Sequence, residues 1–488
     1  MDRHETTLQG GRAEQLHADS VTRRDFLKKS SAGSVAPALT TEIAQNQASP
    51  DSDRPNVILI ISDQFRWDCL GANGLNPLNL TPNLDAMANQ GVNFASAITN
   101  QPVCAPSRAC LFTSLYTTRH GVWRNGIALP AQLLTLATVF RQAGYTANYI
   151  GKWHLGLPGV PGAVALEYRG GFSDFWEGCN ELELTSHPYE GLIWDGDGRP
   201  IQFKNQYRVD FLTDRVIRFL REKKTTPFFL VISYLEPHFQ NDCACFVAPT
   251  GYADRYRNSF VPADLKFFPG DWASQLPDYY GCIARVDENV GKLRSELTTL
   301  SLSDTTVLAF VSDHGCHFRT RNAEYKRSGH EASIHIPMVM AGPGFNRALS
   351  INELVSQIDV APTLLDACHI ATPPSFQGRS LMPLLERKTD GWANEVFIQI
   401  SESMTGRALR TPEWAYVVVQ LDGKSQASSA QYEEYQLYNL LSDPHELLNL
   451  AGRRETREIS VVLRERLRKK MLDAGDEMAE IKPKPLYP

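Results

Sequence analysis

The sequence predicts an α/β protein: a large doubly wound, mainly parallel sheet over residues 54–389, then a smaller antiparallel α+β subdomain over 390–488. Three observations carry this. Short, continuously apolar runs recur, each ending in polar residues, as strands buried on both faces of a sheet do. Helical periodicity fills the intervals between them, the alternation expected of a parallel sheet with covering helices. The character then changes near "LMPLLERKTDGWANE" (381–395), beyond which strand and turn signals follow one another directly.

In chain order, residues 1–53 come first. "TRRDFLKKS" (22–30) pairs two arginines with Phe26, Leu27 and lysines, and a small-residue stretch follows from Ser31 to Leu39. This resembles a twin-arginine signal, which directs folded proteins across a membrane, so residues 1–53 read as a signal and linker, and the protein as exported, periplasmic or secreted. "NVILIISDQ" then gives a strand over Val57–Ile61 ending in Asp63 and Gln64, and "TPNLDAMANQG" a helix with Thr81 as N-cap, Pro82 in the first turn and Gly91 as stop. "LPAQLLTLATVFRQAG" (129–144) and "YRVDFLTDRVIRFLREK" (207–223) are helical in period. "YTANYIGKWH" is a weaker strand run leading to Lys152 and His154; "PFFLVISYLEPH" runs from Phe228 to Leu235 and ends in Glu236 and His238; "TVLAFVSDHG" ends in Asp313 and His314. In sheets of this kind ligands bind beyond the carboxyl ends of the strands, so these ends are expected to converge on one crevice. In the last third "EWAYVVVQ" and "YQLYNLLSDPHELLNLAG" read as strands and turns, and a charged helix lines Ile459, Val462, Leu463, Leu467 and Met471 along one face.

Bulk properties narrow the function. A net charge of −6 over 488 residues gives no basic surface for nucleic acid, though a pocket can still be locally positive. No apolar run reaches the length of a membrane span. Nine cysteines are scattered through the chain. Only Cys243-Ala-Cys245 is close-set, a weak zinc signal without a second pair, and export would permit one or two disulfides.

"QPVCAPSRACLFTSLYTTRHGV" (101–122) sets a cysteine just ahead of a helix start. With Pro106 at the first helical position, Cys104 is expected just outside the helix, where unpaired backbone N–H groups favour negative charge and lower a thiol's pKa. Arg108, one turn on, adds a fixed positive charge. Asp63 and Asp313, with the Gln64 amide, are hard oxygen donors suited to Ca²⁺ or Mg²⁺, and His314 adds a nitrogen. Lys152, His154, His238 and Lys326 can grip an anion and move protons. His120, His187, His317 and His335 read as ordinary structural histidines. The inventory points to metal-assisted cleavage of an anionic ester.

"CAPSRACLFTSLYTTRHGV" resembles the signature of the type I, formylglycine-dependent sulfatases of the alkaline phosphatase superfamily, whose C-x-P-S-R core is also read by a maturation enzyme. "NVILIISDQFRWDCLG", "GYTANYIGKWHLG", "YLEPH", "VSDHG", "KRSGHEASIHIPMVMAGPG", "IDVAPTLLDACHI" and "LYNLLSDPHELLNLA" follow in the family's order, across most of 54–450. The resemblance implies an alkaline-phosphatase-like fold with a catalytic domain over 54–389. It implies that a formylglycine-generating enzyme oxidises Cys104, and that the resulting aldehyde hydrate attacks sulfate. Arg108 would hold the hydrate, while Asp63, Gln64, Asp313 and His314 bind the metal. Lys152, His238 and Lys326 would bind sulfate, His238 and Lys326 protonating the leaving alcohol. His154 would take the proton of the second hydroxyl. Two positions depart from the common pattern: Gln64 stands where many members carry an aspartate, and His314 where asparagine is frequent. Lys326 is aligned through the following Glu331 and Pro337.

The substrate implied is a sulfate ester, with export suggesting a sulfated carbohydrate. The insertion "GGFSDFWEGCNELELTSHPYEGLIWDGDGRP" (170–200) is expected to line the substrate side, with Trp176, Tyr189 and Trp194 as candidates for stacking on sugar rings. Competing readings are a phosphonate or phosphate monoester hydrolase on the same scaffold, a non-catalytic binder of sulfated glycans, and a thiol enzyme using unmodified Cys104.

Overall fold

Four neighbouring strands form the centre of the computed structural model, which describes residues 54–222, 227–423 and 425–487; the signal expected over 1–53 lies outside the described residues. Thr306–Ser312, Asn56–Ser62, Phe228–Ser233 and Thr146–Lys152 lie side by side and parallel, and Phe175–Cys179 joins as a fifth parallel strand. They belong to an 11-stranded sheet whose outer members include antiparallel pairs, such as Met338–Ala341 on Thr306–Ser312. The mainly parallel α/β class predicted from the apolar runs is the one observed.

The uniform apolarity of these runs follows from two-sided burial. Val57, Leu59 and Ile61 point into one core, shared with the helices Cys104–Thr113 and Val360–Ala367; Ile58 and Ile60 point into another, shared with Arg208–Glu222 and Trp272–Thr299. Register then sets the site. Ser62 pairs with Ser312, Ile61 with Ser233, and Ser233 with Gly151, so the strands end at one level and the residues that follow emerge together.

The smaller sheet has five strands: Val396–Ile400, Gly406–Arg410, Trp414–Val419, Gln431–Asn439 and Glu480–Lys482. The first four are antiparallel as expected, whereas Glu480–Lys482 pairs parallel to Gln431–Glu433. One face carries the C-terminal helix Arg457–Ala474, and the other packs on Ile98, Ile334 and Leu354.

Several local expectations are corrected. Val462 is 51% exposed, because Leu463, Leu467, Met471 and Ala474 already fill the buried stripe of that helix. In 129–144 the helix covers only Leu136–Gln142, beginning where the Thr135 side chain accepts from Thr138 N–H. Pro106 is not the first helical residue: the helix begins at Cys104 with Val103 as N-cap, and the proline is accommodated because the first turn's N–H groups have no intrahelical acceptors. Cys243 and Cys245 are joined in a disulfide, which removes the zinc reading. The 28-residue helix Trp272–Thr299 had no counterpart in the sequence reading.

Candidate active site

Cys104 is 1% exposed at the floor of a cavity of about 280 Å³, and every residue of its helix is buried. Around its sulfur stand Lys326 Nζ at 2.9 Å, His314 Nε2 at 3.3 Å and Asp63 Oδ1 at 3.7 Å. Burial by itself opposes ionisation of the thiol, yet Lys152, Lys326 and His314 outweigh it and hold Cys104 well below the ordinary thiol range. A negative group is stable at this spot, the outcome sequence reasoning sought from the helix start.

Each strand end delivers one part. Asp63 follows Asn56–Ser62, and its Oδ2 accepts from Lys152 Nζ at 2.7 Å and Arg108 Nη2 at 3.3 Å. Asp313 follows Thr306–Ser312 and accepts from Arg108 Nε and from Gln64 N–H, both at 3.2 Å. Gln64 has a left-handed backbone (φ 70°), which turns its N–H toward Asp313. Arg108 is fully buried and also donates from Nη1 to the Lys152 carbonyl and Ser233 Oγ, at 3.0 and 2.7 Å, so one guanidinium ties four strand ends together. Burial and the charge of Asp63 push the Asp313 carboxyl up. For Asp63 the upward push of burial and Cys104 is overcome by Lys152, His238 and Lys326, so its carboxyl lies below its ordinary range. Two buried carboxylates forced apart in this way suit a shared cation. Ligand atoms of Asp63, Cys104, Asp313 and His314 all fall within 4.8 Å of one another.

His238, beyond the cis Glu236–Pro237 bond, brings Nε2 to 3.3 Å from Lys326 Nζ. Lys326 Nζ is also 3.1 Å from His314 Nε2, and its carbonyl is held by His317 Nε2 at 3.1 Å, so one histidine set aside as structural positions a site residue. His154 and Lys152 close the other flank. The structure thus brings Asp63, Gln64, Cys104, Arg108, Lys152, His154, His238, Asp313, His314 and Lys326 to a single locus.

Glu183 was missed. It sits in the 170–200 insertion, lines the cavity, and places Oε1 3.0 Å from Lys152 Nζ and 3.8 Å from His154 Nδ1. Burial raises its pKa, but Lys152, His154 and His238 bring it down to about 2. Glu183 Oε2 and His154 Nδ1 are both buried without a hydrogen-bond partner among the described residues. A carboxylate in a stretch with no strand run or helical period carries no local signal.

The stacking residues expected of the same insertion are elsewhere. Trp176 is 2% exposed and packs on Tyr149 and Trp153. Tyr189 meets Tyr207 edge to face and shares a hydrogen bond with Thr250, and Trp194 packs on the second core; none of the three lines this cavity. Its aromatic wall comes from Phe239 and Tyr325, and its rim from Asn125, Arg319, Glu324 and Arg327.

Comparison with known proteins agrees with this geometry. The sequence model of the sulfatase family matches residues 55–370, and that of the N-sulphoglucosamine sulphohydrolase C-terminal region matches 324–473. The ulvan-active sulfatase of Formosa agariphila is 29% identical over 441 residues, covering 87% of this chain and 82% of its own. An arylsulfatase of Clostridium perfringens is 29% identical over 473 residues, covering 86% and 94%. Among solved structures, the yidJ protein of Bacteroides fragilis superposes with a TM-score of 0.75 at 26% identity, covering 89% of this chain and 98% of its own.

Proposed function

The chain belongs to the sulfatase family and is a sulfuric ester hydrolase, and from that premise we propose that it removes sulfate from a sulfated carbohydrate after export, with Cys104 matured to formylglycine. The observation that carries this reading is the convergence of Lys326, His314 and Asp63 on the Cys104 sulfur. The name of the Formosa relative supports a glycan substrate, and the paired arginines Arg23 and Arg24 support the twin-arginine route.

A formylglycine hydrate at position 104 would supply the hydroxyl that attacks sulfur, and a divalent ion, Ca²⁺ or Mg²⁺, would polarise the sulfate oxygens. The donors fit such an ion: Asp63 and Asp313 offer hard oxygens, and Gln64 and His314 complete the set. Arg108 fixes both carboxylates and the strand ends that bear them. Lys152, Lys326 and His238 grip the anionic sulfate, which enters a site whose cations are already desolvated and oriented. Asp313, with a carboxylate oxygen within 4.8 Å of the Cys104 sulfur, accepts the proton of the attacking hydroxyl. His238 Nε2 and Lys326 Nζ, 3.3 Å apart, share the protonation of the departing alcohol. His154 takes the proton released as residue 104 is restored, with Glu183 steadying the charge that forms.

Peptide mass spectrometry over residues 101–119, on protein co-produced with a formylglycine-generating enzyme, tests the reading. An aldehyde at 104 together with turnover of 4-nitrophenyl sulfate supports it. A thiol at 104 in a preparation that converts a control sulfatase overturns it in favour of a thiol enzyme or a glycan-binding protein. A higher kcat/KM on an aryl phosphonate with the same leaving group would instead assign the chain to phosphonate monoester hydrolysis. Chelation is expected to abolish turnover, with Ca²⁺ or Mg²⁺ restoring it.

A further inference from the structure

We propose that Arg319, seated on Phe239 and Tyr325, forms a subsite for a second negative group of the substrate, so that the preferred ester carries a carboxylate or another sulfate beside the sulfate to be removed. The inference rests on the sulfatase reading above and deepens it toward polyanionic sugars.

Charge accounting around the cavity points to this residue. Lys152 and Lys326 are assigned above to the sulfate that is removed, and Arg327 is bound to Glu324 and Glu402. Arg319 is different. Its Nε faces Asp271 at 3.5 Å, beyond a good hydrogen bond, its side chain is 45% exposed, and among the described residues its two Nη groups donate to no protein acceptor. Asp271 is itself engaged by the Tyr325 hydroxyl.

Geometry holds Arg319 ready. Its guanidinium carbon lies 4.9 Å from the Tyr325 ring centre and 5.7 Å from that of Phe239. Phe318 and Arg319 are consecutive left-handed residues (φ 49° and 61°), a conformation that side-chain-bearing residues adopt at a cost and that sets the direction in which Arg319 leaves the chain. Tyr325 directly precedes Lys326, whose Nζ touches Cys104. A planar fork of free N–H donors on the wall of the cavity that Cys104 also lines suits a planar carboxylate or a sulfate oxygen pair.

Binding of methyl glucoside monosulfates, methyl glucuronide monosulfates and methyl glucoside disulfates to Cys104→Ala protein, measured by calorimetry with the scissile sulfate at O2, O3 or O4 in turn, tests the proposal. For at least one position the uronide or the disulfate is expected to bind about tenfold more tightly than the monosulfated glucoside. Which of the two does so identifies the second group as carboxylate or sulfate. Arg319→Asn, which tolerates the left-handed backbone, should bring that ratio to about one, and Arg319→Lys should retain part of it. Equal affinities throughout, or a ratio that survives Arg319→Asn, would overturn the subsite. Formylglycine-bearing protein that turns over no sulfate ester would overturn the parent reading instead, and the binding ratios would still decide on Arg319.

Discussion

Cys104 and Glu183 differ in how far a sequence discloses them, and both can be tested by single substitutions. Cys104→Ala removes the atom on which Lys326 and His314 converge. Turnover should fall below detection, while the thermal midpoint stays within ~3 °C of the parent because the change deletes one atom from a polar cavity. Full activity in that variant would sink the mechanism. Glu183→Gln keeps the shape but removes the carboxylate 3.0 Å from Lys152. A kcat lower by about 10–100-fold is expected, with Glu183→Asp recovering part of it; steady-state kinetics on 4-nitrophenyl sulfate checks both. Asp63, Lys152, Asp313 and His314 were legible because each ends an apolar run, and Cys104 and Arg108 because they share a motif. Glu183 was not, since what places it is the pairing of its segment with Lys152 and His154 in space. Trp176 misled for the opposite reason: an aromatic residue beside a glycine-rich loop looks exposed until the core around Tyr149 is built.

Elements divide along similar lines. The central strands could be read because burial on both faces leaves a continuous apolar string, which few other environments impose. The helix Trp272–Thr299 could not, because Pro277, Gly281 and Gly291 interrupt its pattern. The glycines serve packing: a Cβ on Gly281 would lie 2.6 Å from the Cβ of Ala248 and 2.9 Å from that of Tyr252. Gly281→Ala should therefore destabilise by ~1–3 kcal/mol through overpacking, despite alanine's better helix propensity. Denaturant unfolding reads the shift, and an unchanged or raised midpoint would mean the segment Ala248–Tyr252 yields freely.

At the scale of the whole molecule, charged groups cross between the large body and the smaller sheet. Arg410 pairs with Glu331 at 2.6 Å, the Glu331 N–H donates to Glu446 at 2.9 Å, and Arg321 donates to the Glu446 carbonyl at 2.8 Å. The change of sequence character near residue 390 anticipated a second sheet, but no local pattern announced this crossing, which joins residues far apart in the chain. Burial and the neighbouring Glu331 push the Glu446 carboxyl up to about 8. A raised folded-state pKa means stability that is complete below the ordinary carboxyl value of 4.5 and is lost as pH rises through about 8. The apparent Tm should thus drop between about pH 4.5 and 8, and Glu446→Gln should flatten that drop; parallel profiles for the two proteins would disprove the assignment. The burial of the entire Cys104–Thr113 helix has a consequence in time rather than energy. If Cys104 is oxidised by another enzyme, as proposed, that enzyme would need the segment exposed, and the closed chain buries all of it. On that proposal maturation and folding would compete as rates, and the fraction of active molecules would be settled before the chain closes.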